Sequence, residues 1–560
     1  MGVPKSPSWK QAHFGRGHPI MGSLGRNSTR NMNAFWIAGL CVGSWTLQAV
    51  PPPENRGVYA IWYGGGYELL DAPYIVGGQV VVQWADVDKG EGQYDFTPIE
   101  KETRTLKRLG KKTTVQINGN SKPAWLFTKV PHCPEKLSVQ GQDRQGTLMY
   151  WHPVHLGAYT NMLGAFGRFL ARSPDRDAVI GIRLNFNAIG TEHFLIPQEA
   201  MNPKKWIVPP GGTRGQPWST QQVLSYESAV VKTFVNQLSP HARILVRNNV
   251  KPEVEGRFRT LFETGRLGWF HTSSEAEPRS VFTEIQYRRF YEDCRSGKTV
   301  GYAEPWASAW GDHGGGPDPR WCSPPQWNYW RLLIDLHCGV TFVAVYASDL
   351  RVAVQGSYHQ KGHRYDEAKD RRGYQQEFEA AFRFTSKYAG YHASPEESPG
   401  AWVAFRENST ALADNPKIPP KGRRLSVFTG DYNFLMERLP DKTEGEHNVG
   451  PENQRQGAWA RVLPAGESMQ LKADDRFAAS LGGGKVLVTY LDRAEDAGNT
   501  FVLAAGPTRM TVSLTGSGRW QTASLDLPPG PMPKVSGDAH IKITAGAKPL
   551  HMHMVEIARR

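Results

Sequence analysis

Two glutamates carry the strongest chemical signal in this 560-residue chain. Glu192 follows the apolar run VIGIRLNFN (Val179–Asn187) through AIGTEH, and Glu304 follows TVGY (Thr299–Tyr302) in AEPWASAWG. Cleaving the acetal between two sugars takes two carboxyl groups, one protonated to serve the leaving oxygen and one ionised to attack carbon or to activate water. Two glutamates that each end a strand-like run meet that need when the strands hold both ends on one face. Glu275 in HTSSEAE is a rival carboxylate, and Asp86 and Asp349 stand at further strand ends, where holding a loop or binding a hydroxyl is the plainer role.

The elements that must position such a pair alternate strand and helix from about residue 57 to 395. Strands are expected at Gly57–Tyr63, Gln79–Trp84, Lys112–Ile117, Val179–Asn187, Ala242–Arg247, Leu267–His271, Thr299–Tyr302 and Val340–Tyr346. Helical spacing is read in PIEKETRTLKRLG and over Leu156–Ala171, Ser219–Leu238, Phe282–Arg295, Pro325–Cys338 and about Tyr374–Tyr391. Eight strands with helices between them imply an α/β fold, a closed (β/α)8 TIM barrel. Long insertions at 118–153, 193–218, 305–324 and 347–372 all follow strands, so they share one face and favour a deep cleft there.

Beyond the barrel the texture changes. The expected organisation is a targeting segment at 1–50, the barrel at 51–400, a connecting segment at 401–456 and a C-terminal antiparallel β-sandwich at 457–560. The last is read from short alternating runs such as AWARVL, KVLVTYLD, TFVLAA and MHMVEIA. The first fifty residues hold Lys5, Lys10, Arg16, Arg26 and Arg30, no acid, and the apolar stretch Ala34–Val50, which reads as a secretory signal; secretion or a periplasmic location is therefore expected. The mature chain then has no stable membrane span.

The formal charge is +13, falling to +8 once those five cations are removed. A basic exported protein suits an anionic polysaccharide; no basic helix, zinc-finger spacing or aromatic RNA-binding signature points to nucleic acid. Cys294 and Cys338 are placed near the ends of successive helices and could meet; Cys133 and Cys322 could pair in top-face loops; buried free thiols are the other reading. There is no CxxC metal spacing, and the chemistry requires neither metal nor cofactor.

Three passages resemble clan A of the glycoside hydrolases, nearest to the family 42 β-galactosidase-like enzymes. They are VVVQWADVDKGEGQYDFTPIE after strand two, GTEH after strand four and AEPWASAWG after strand seven. The resemblance implies a two-glutamate, configuration-retaining double displacement, with Glu192 as acid/base and Glu304 as nucleophile. One departure is that the clan has Asn directly before its acid/base, where this chain has Thr191. Asn185 or Asn187 would supply the missing contact to the sugar 2-hydroxyl. Candidate substrate-binding residues are Trp84, Asn118, Asn185, Asn187, His193, Arg247, Asn248, Trp306, Trp310 and Tyr346, with Arg183 as a supporting group and Tyr346 as a donor to the nucleophile. Trp125, Trp206, Trp218 and Trp321 are further aromatic candidates, whereas Trp327 and Trp330 fall inside a helix and count as packing. The C-terminal sandwich resembles the accessory or carbohydrate-binding modules of secreted polysaccharidases. The substrate class expected is a β-linked poly- or oligosaccharide, a sulfated or acidic galactan in the finer reading. Exo-action on neutral β-galactosides and carbohydrate binding without cleavage are the alternatives.

Overall fold

The computed structural model describes residues 51, 53–247, 250, 252–273, 290–305, 323–357, 371–406 and 430–560. Eight parallel strands close on themselves: β1 Gly57–Ile61, β2 Ile75–Gln83, β3 Lys112–Asn118, β4 Val179–Leu184, β5 Arg243–Arg247, β6 Leu267–Ser273, β7 Gly301–Pro305 and β8 Val340–Tyr346. Each pairs with its sequence neighbours, and β1 closes the ring against β8 through Gly57↔Phe342 to Ile61↔Tyr346. The expected barrel is therefore present, and so is the antiparallel structure after it.

The helices between strands end where their sequences say they should. Thr97–Arg108 (α1) carries Pro98 in its first turn and Lys107 and Arg108 in its last, where cations suit the helix C-terminus. Pro153–Arg172 (α2) opens on Pro153, with the His152 side chain accepting from the Val154 amide. Thr220–Gln237 (α3) is capped by Ser219, whose side chain accepts from the Gln222 amide. Pro324–His337 (α4) begins with a Ser323/Gln326 capping box. Ala347–Gln355 (α5) and Tyr374–Tyr388 (α6) complete the outer ring after β8. Of the helix expected at Phe282–Arg295, residues 290–295 are helical and the rest lie outside the described residues.

Strand boundaries differ from the expected ones at three informative places. β1 stops at Ile61 because Trp62 turns into the left-handed region, with φ 58°. β4 stops at Leu184, and Asn187, with φ 49°, starts a closed loop in which its amide bonds Thr191 O at 3.1 Å. β7 begins two residues later than expected, which puts Glu304 inside the strand, paired in register with Thr272.

Strand side chains alternate in direction, so every second residue points into the barrel. Tyr59, Ile61, Leu245, Phe270, Tyr302, Phe342 and Ala344 fill the interior as an apolar plug. Glu304 stands two residues beyond Tyr302 on the same face of β7 and so lies one layer nearer the C-terminal mouth.

After the barrel come two antiparallel sheets. The first is built on the long strand Leu550–Arg559, flanked by Gly400–Ala404, Trp459–Leu463 and Gly484–Asp492; the second holds Met436–Arg438, Ser468–Ala473, Ile541–Ala545, Thr500–Ala505 and Thr508–Ser513. Strands at 400–404, 432–434, 436–438 and 444–447 come from the stretch read as a connector. Their hydrophobic positions were visible, but strands of three to five residues give too few alternations to be told from a loop.

The two parts meet in a common hydrophobic cluster, beside which the sandwich keeps a core of its own. Every residue of α4 is buried, because its outer side, left bare by the barrel, is covered by the first sheet. Trp330 packs edge-on against Trp459 at 4.8 Å, and the Tyr329 hydroxyl meets His553 Nε2 at 3.1 Å. Trp327 and Trp330 are thus packing residues. Among the described residues no helix is long and apolar enough to cross a membrane.

Candidate active site

A polar layer sits directly above the apolar plug, made of residues on the inward phase of neighbouring strands. Gln79 (β2) donates from Nε2 to Gln116 Oε1 at 3.0 Å and to the Tyr302 hydroxyl at 2.9 Å, and stands 3.5 Å from Glu304 Oε1. Arg183 (β4) donates to Gln116 Oε1 at 2.7 Å. Its guanidinium bridges the two carboxylates: Nη1 pairs with Glu304 and Nη2 with Glu192. Glu192 is also paired with Arg247 at the end of β5. The guanidinium carbon of Arg183 lies 3.7 Å from the centre of the Phe270 ring.

One fork holding both carboxylates limits their separation. Two charged contacts of about 2.8 Å and the width of the guanidinium place their nearest oxygens within about 8 Å. That is inside the range of carboxyl pairs that flank a scissile glycosidic bond, and well short of the spacing at which two acids could not serve one bond. Both are removed from solvent, the side chain of Glu192 being 10% exposed and that of Glu304 4%.

The loop that carries Glu192 is held by the loop after β3. Gln140 Oε1 accepts the amides of Thr191 and Glu192 at 3.0 and 3.1 Å. The Thr191 hydroxyl donates to Asn120 Oδ1 at 2.7 Å and accepts from the Gly119 amide at 3.1 Å. His193 Nδ1 meets the Ser138 hydroxyl at 2.8 Å, and burial lowers its pKa, which favours the neutral ring. A Cβ on Gly119 would lie 2.6 Å from Asn187, so the two loops approach as closely as they do because that residue has no side chain.

The other expected site residues divide clearly. Asn185 and Asn187 each donate from Nδ2 to Ile117 O at 3.1 Å, and Asn185 reaches Asn118 Oδ1 at 3.1 Å. The Oδ1 atoms of Asn185 and Asn187 are buried without a hydrogen-bond partner in the protein. Tyr346 ends β8 beside Glu304; burial first, then the carboxylate, raises its pKa and keeps the phenol protonated as a donor.

Trp84 is a correction. It is fully buried, packed on Tyr159 at 4.9 Å and on His155 at 5.2 Å, with its N–H given to Asp88 Oδ2, so no face remains for a sugar. The helical turn that follows β2 folds it back under the loop. Asp86 is the capping residue of that turn, accepting from the Gln83 amide at 2.9 Å. Trp125 also donates to Asp88, at 3.0 Å. Trp206 and Trp218 line, with Trp151, a separate cavity of about 210 Å³ in the loop region before α3. Asn248, Glu275, Trp306, Trp310 and Trp321 lie outside the described residues.

Gln79, Gln116 and Tyr302 escaped the sequence reading, although a signal existed: each is a polar group on the inward phase of an otherwise apolar barrel strand. Cys133, Cys294 and Cys338 are buried free thiols; the pairing suggested for Cys294 and Cys338 does not occur, and Cys322 lies outside the described residues. Among the described residues no group of three His, Cys, Asp or Glu side chains is arranged to hold a metal ion.

No family model matches the chain, and no curated protein matches it. Among solved structures it is similar to the cold-adapted β-galactosidase of Rahnella sp. R3, at 13% identity and a TM-score of 0.37, over 62% of this chain and 58% of that one. A β-galactosidase from the psychrophilic Marinomonas ef1 aligns at 10% identity and a TM-score of 0.34, over 52% of this chain and 54% of its own. A structure described only as a glycoside hydrolase aligns at 9% identity and a TM-score of 0.34, over 89% of this chain and 97% of that one. The chain thus spans a little over half the length of the two β-galactosidases it matches.

Proposed function

We propose that this protein is a glycoside hydrolase that cleaves β-linked poly- or oligosaccharide with retention of anomeric configuration. The observation that carries the reading is the Arg183 bridge, which ties Glu192 and Glu304 to one point at the C-terminal mouth of the barrel. Arg183 pairs with Glu304 and Gln79 stands 3.5 Å from it, so both groups orient the carboxylate that serves as nucleophile. In the first step the Glu192 proton passes to the glycosidic oxygen, the bond from that oxygen to the anomeric carbon breaks, and a Glu304 oxygen bonds to that carbon. In the second step Glu192 takes a proton from water, the water oxygen bonds to the anomeric carbon, and Glu304 leaves as a carboxylate.

A sugar that enters between Glu192 and Arg183 leaves the acid paired with Arg247 alone. Export is supported by the first fifty residues, and a sulfated or acidic galactan by the surplus of 8 positive charges that remains when the five cations of that segment are removed from 13. A panel of algal and plant polysaccharides with 4-nitrophenyl β-D-galactopyranoside, read by product analysis and by the anomer first released, tests the reading. Glu304→Ala is expected to abolish turnover, and azide to restore product as a glycosyl azide. Turnover that survives Glu304→Ala would refute the nucleophile. Binding without turnover would instead mark a carbohydrate-binding barrel, a reading that the double arginine pairing of Glu192 favours.

A further inference from the structure

Trp62 breaks two local rules at once. It is 49% exposed, although it stands at the end of a fully buried barrel strand. Its backbone lies at φ 58°, a conformation that bulky residues rarely adopt and that glycine would adopt freely. The next residues, Gly64 and Gly65, also have positive φ, so the chain had glycines to spend on this turn and placed a tryptophan instead. Strain of this kind persists where the surroundings fix it, and it gathers at ligand-holding positions.

The surroundings do fix it. The Trp62 side chain lies within interaction range of the Tyr346 hydroxyl, and Tyr346 in turn feels the charge of Glu304. Ile61, the preceding residue, pairs in register with Tyr346 across the β1–β8 seam. Tyr63, the following residue, is buried and donates to Glu102 at 2.8 Å, as Tyr67 does at 2.7 Å. The loop is therefore clamped on both sides of the tryptophan, while half of its surface stays open at the C-terminal end of β1.

From this geometry we infer that Trp62 is the stacking platform for a pyranose ring on the nucleophile's side of the cleaved bond. The inference rests on the glycosidase reading for its ligand class. The C–H face of the sugar packs on the indole, and Tyr346 holds the ring plane from its edge.

Four proteins test it: wild type, Trp62→Ala, Trp62→Phe and Trp62→Gly. Steady-state kinetics on 4-nitrophenyl β-D-galactopyranoside are paired with thermal unfolding. Fluorescence titration with methyl β-D-galactopyranoside, in a Glu304→Gln background, reads binding without turnover. The expected result is a KM and a dissociation constant about tenfold higher or more for Trp62→Ala and Trp62→Gly, with kcat changed less than about threefold, and substantial recovery in Trp62→Phe. Trp62→Gly is expected to unfold at or above the wild-type temperature, because the strain is released. A Trp62→Gly protein that melts lower while its KM and binding are unchanged would make Trp62 a structural residue and overturn the inference. If wild type binds the galactoside but does not cleave it, the enzymatic reading falls and the titration alone decides the role of Trp62. If wild type neither binds nor cleaves either probe, both fall.

Discussion

At the scale of single residues the site is defined by cations as much as by acids. Arg183 touches both glutamates, and Arg247 adds a second guanidinium to Glu192. Opposite charge at contact favours the ionised carboxylate, and in a buried site that preference is large. Arg247 therefore acts directly on the group proposed as general acid. Arg247→Met keeps the apolar stem and removes the charge. It is expected to move the basic limb of the kcat/KM profile up by about one pH unit or more, with Glu304 still paired to Arg183. An unmoved limb in that variant would mean that Glu192 is not the group whose protonation governs the reaction.

At the scale of elements, the placement of Glu192 depends on one loop leaning on another. The loop after β4 makes its own closure, Asn187 N to Thr191 O, and is then pinned to the loop after β3 by Gln140, Asn120 and Ser138. Gln140→Ala removes the acceptor for two amides, one of them that of Glu192 itself. Two lost hydrogen bonds at a partly buried site are expected to lower stability by about 1–3 kcal/mol and kcat by about tenfold or more, through misplacement of the acid. Chemical denaturation and steady-state kinetics measure the two effects separately, and an unchanged kcat would show that the loop holds Glu192 by other means. This support was not legible in the sequence, because it joins residues more than fifty positions apart through side chains that look like ordinary loop composition. The barrel strands were legible, since β-rich runs recur with helical spacing between them. Their ends were less so: a left-handed Trp62 or Asn187 gives no pattern signal, and β7 was placed two residues early because Thr299 and Val300 favour extended structure as strongly as Ala303 and Glu304 do.

At the scale of the whole molecule, the shared core between barrel and sandwich makes acid sensitivity a property of the fold. His155, His271, His337, His392 and His553 are all carried with pKa values lowered by burial, His271 and His553 to about 3 and the others well below 6.5. An unfolded chain binds protons at these groups below about pH 6.5 while the folded one does not, so their contribution to stability is complete above that pH and is lost as pH falls toward 3. Asp335 acts with the opposite sign: burial raises it from 3.8 to about 7, so it favours the folded state below pH 3.8 and loses that contribution as pH rises through 7. Between about pH 4 and 6.5 these five histidines outweigh Asp335, and their part of the unfolding free energy is expected to rise with pH. His155 isolates the effect, since neither ring nitrogen has a hydrogen-bond partner and the ring is packed between Trp84 and Tyr226. His155→Phe keeps a ring of similar size and strands no partner, so stability at pH 7.5 is expected to be equal or higher. The acid-side slope of unfolding free energy against pH is expected to fall by up to about 1.4 kcal/mol per pH unit, one proton's worth. Urea unfolding at half-unit steps from pH 4.5 to 7.5 measures both quantities, and a slope equal to that of the wild type would show that His155 is not held neutral by the fold.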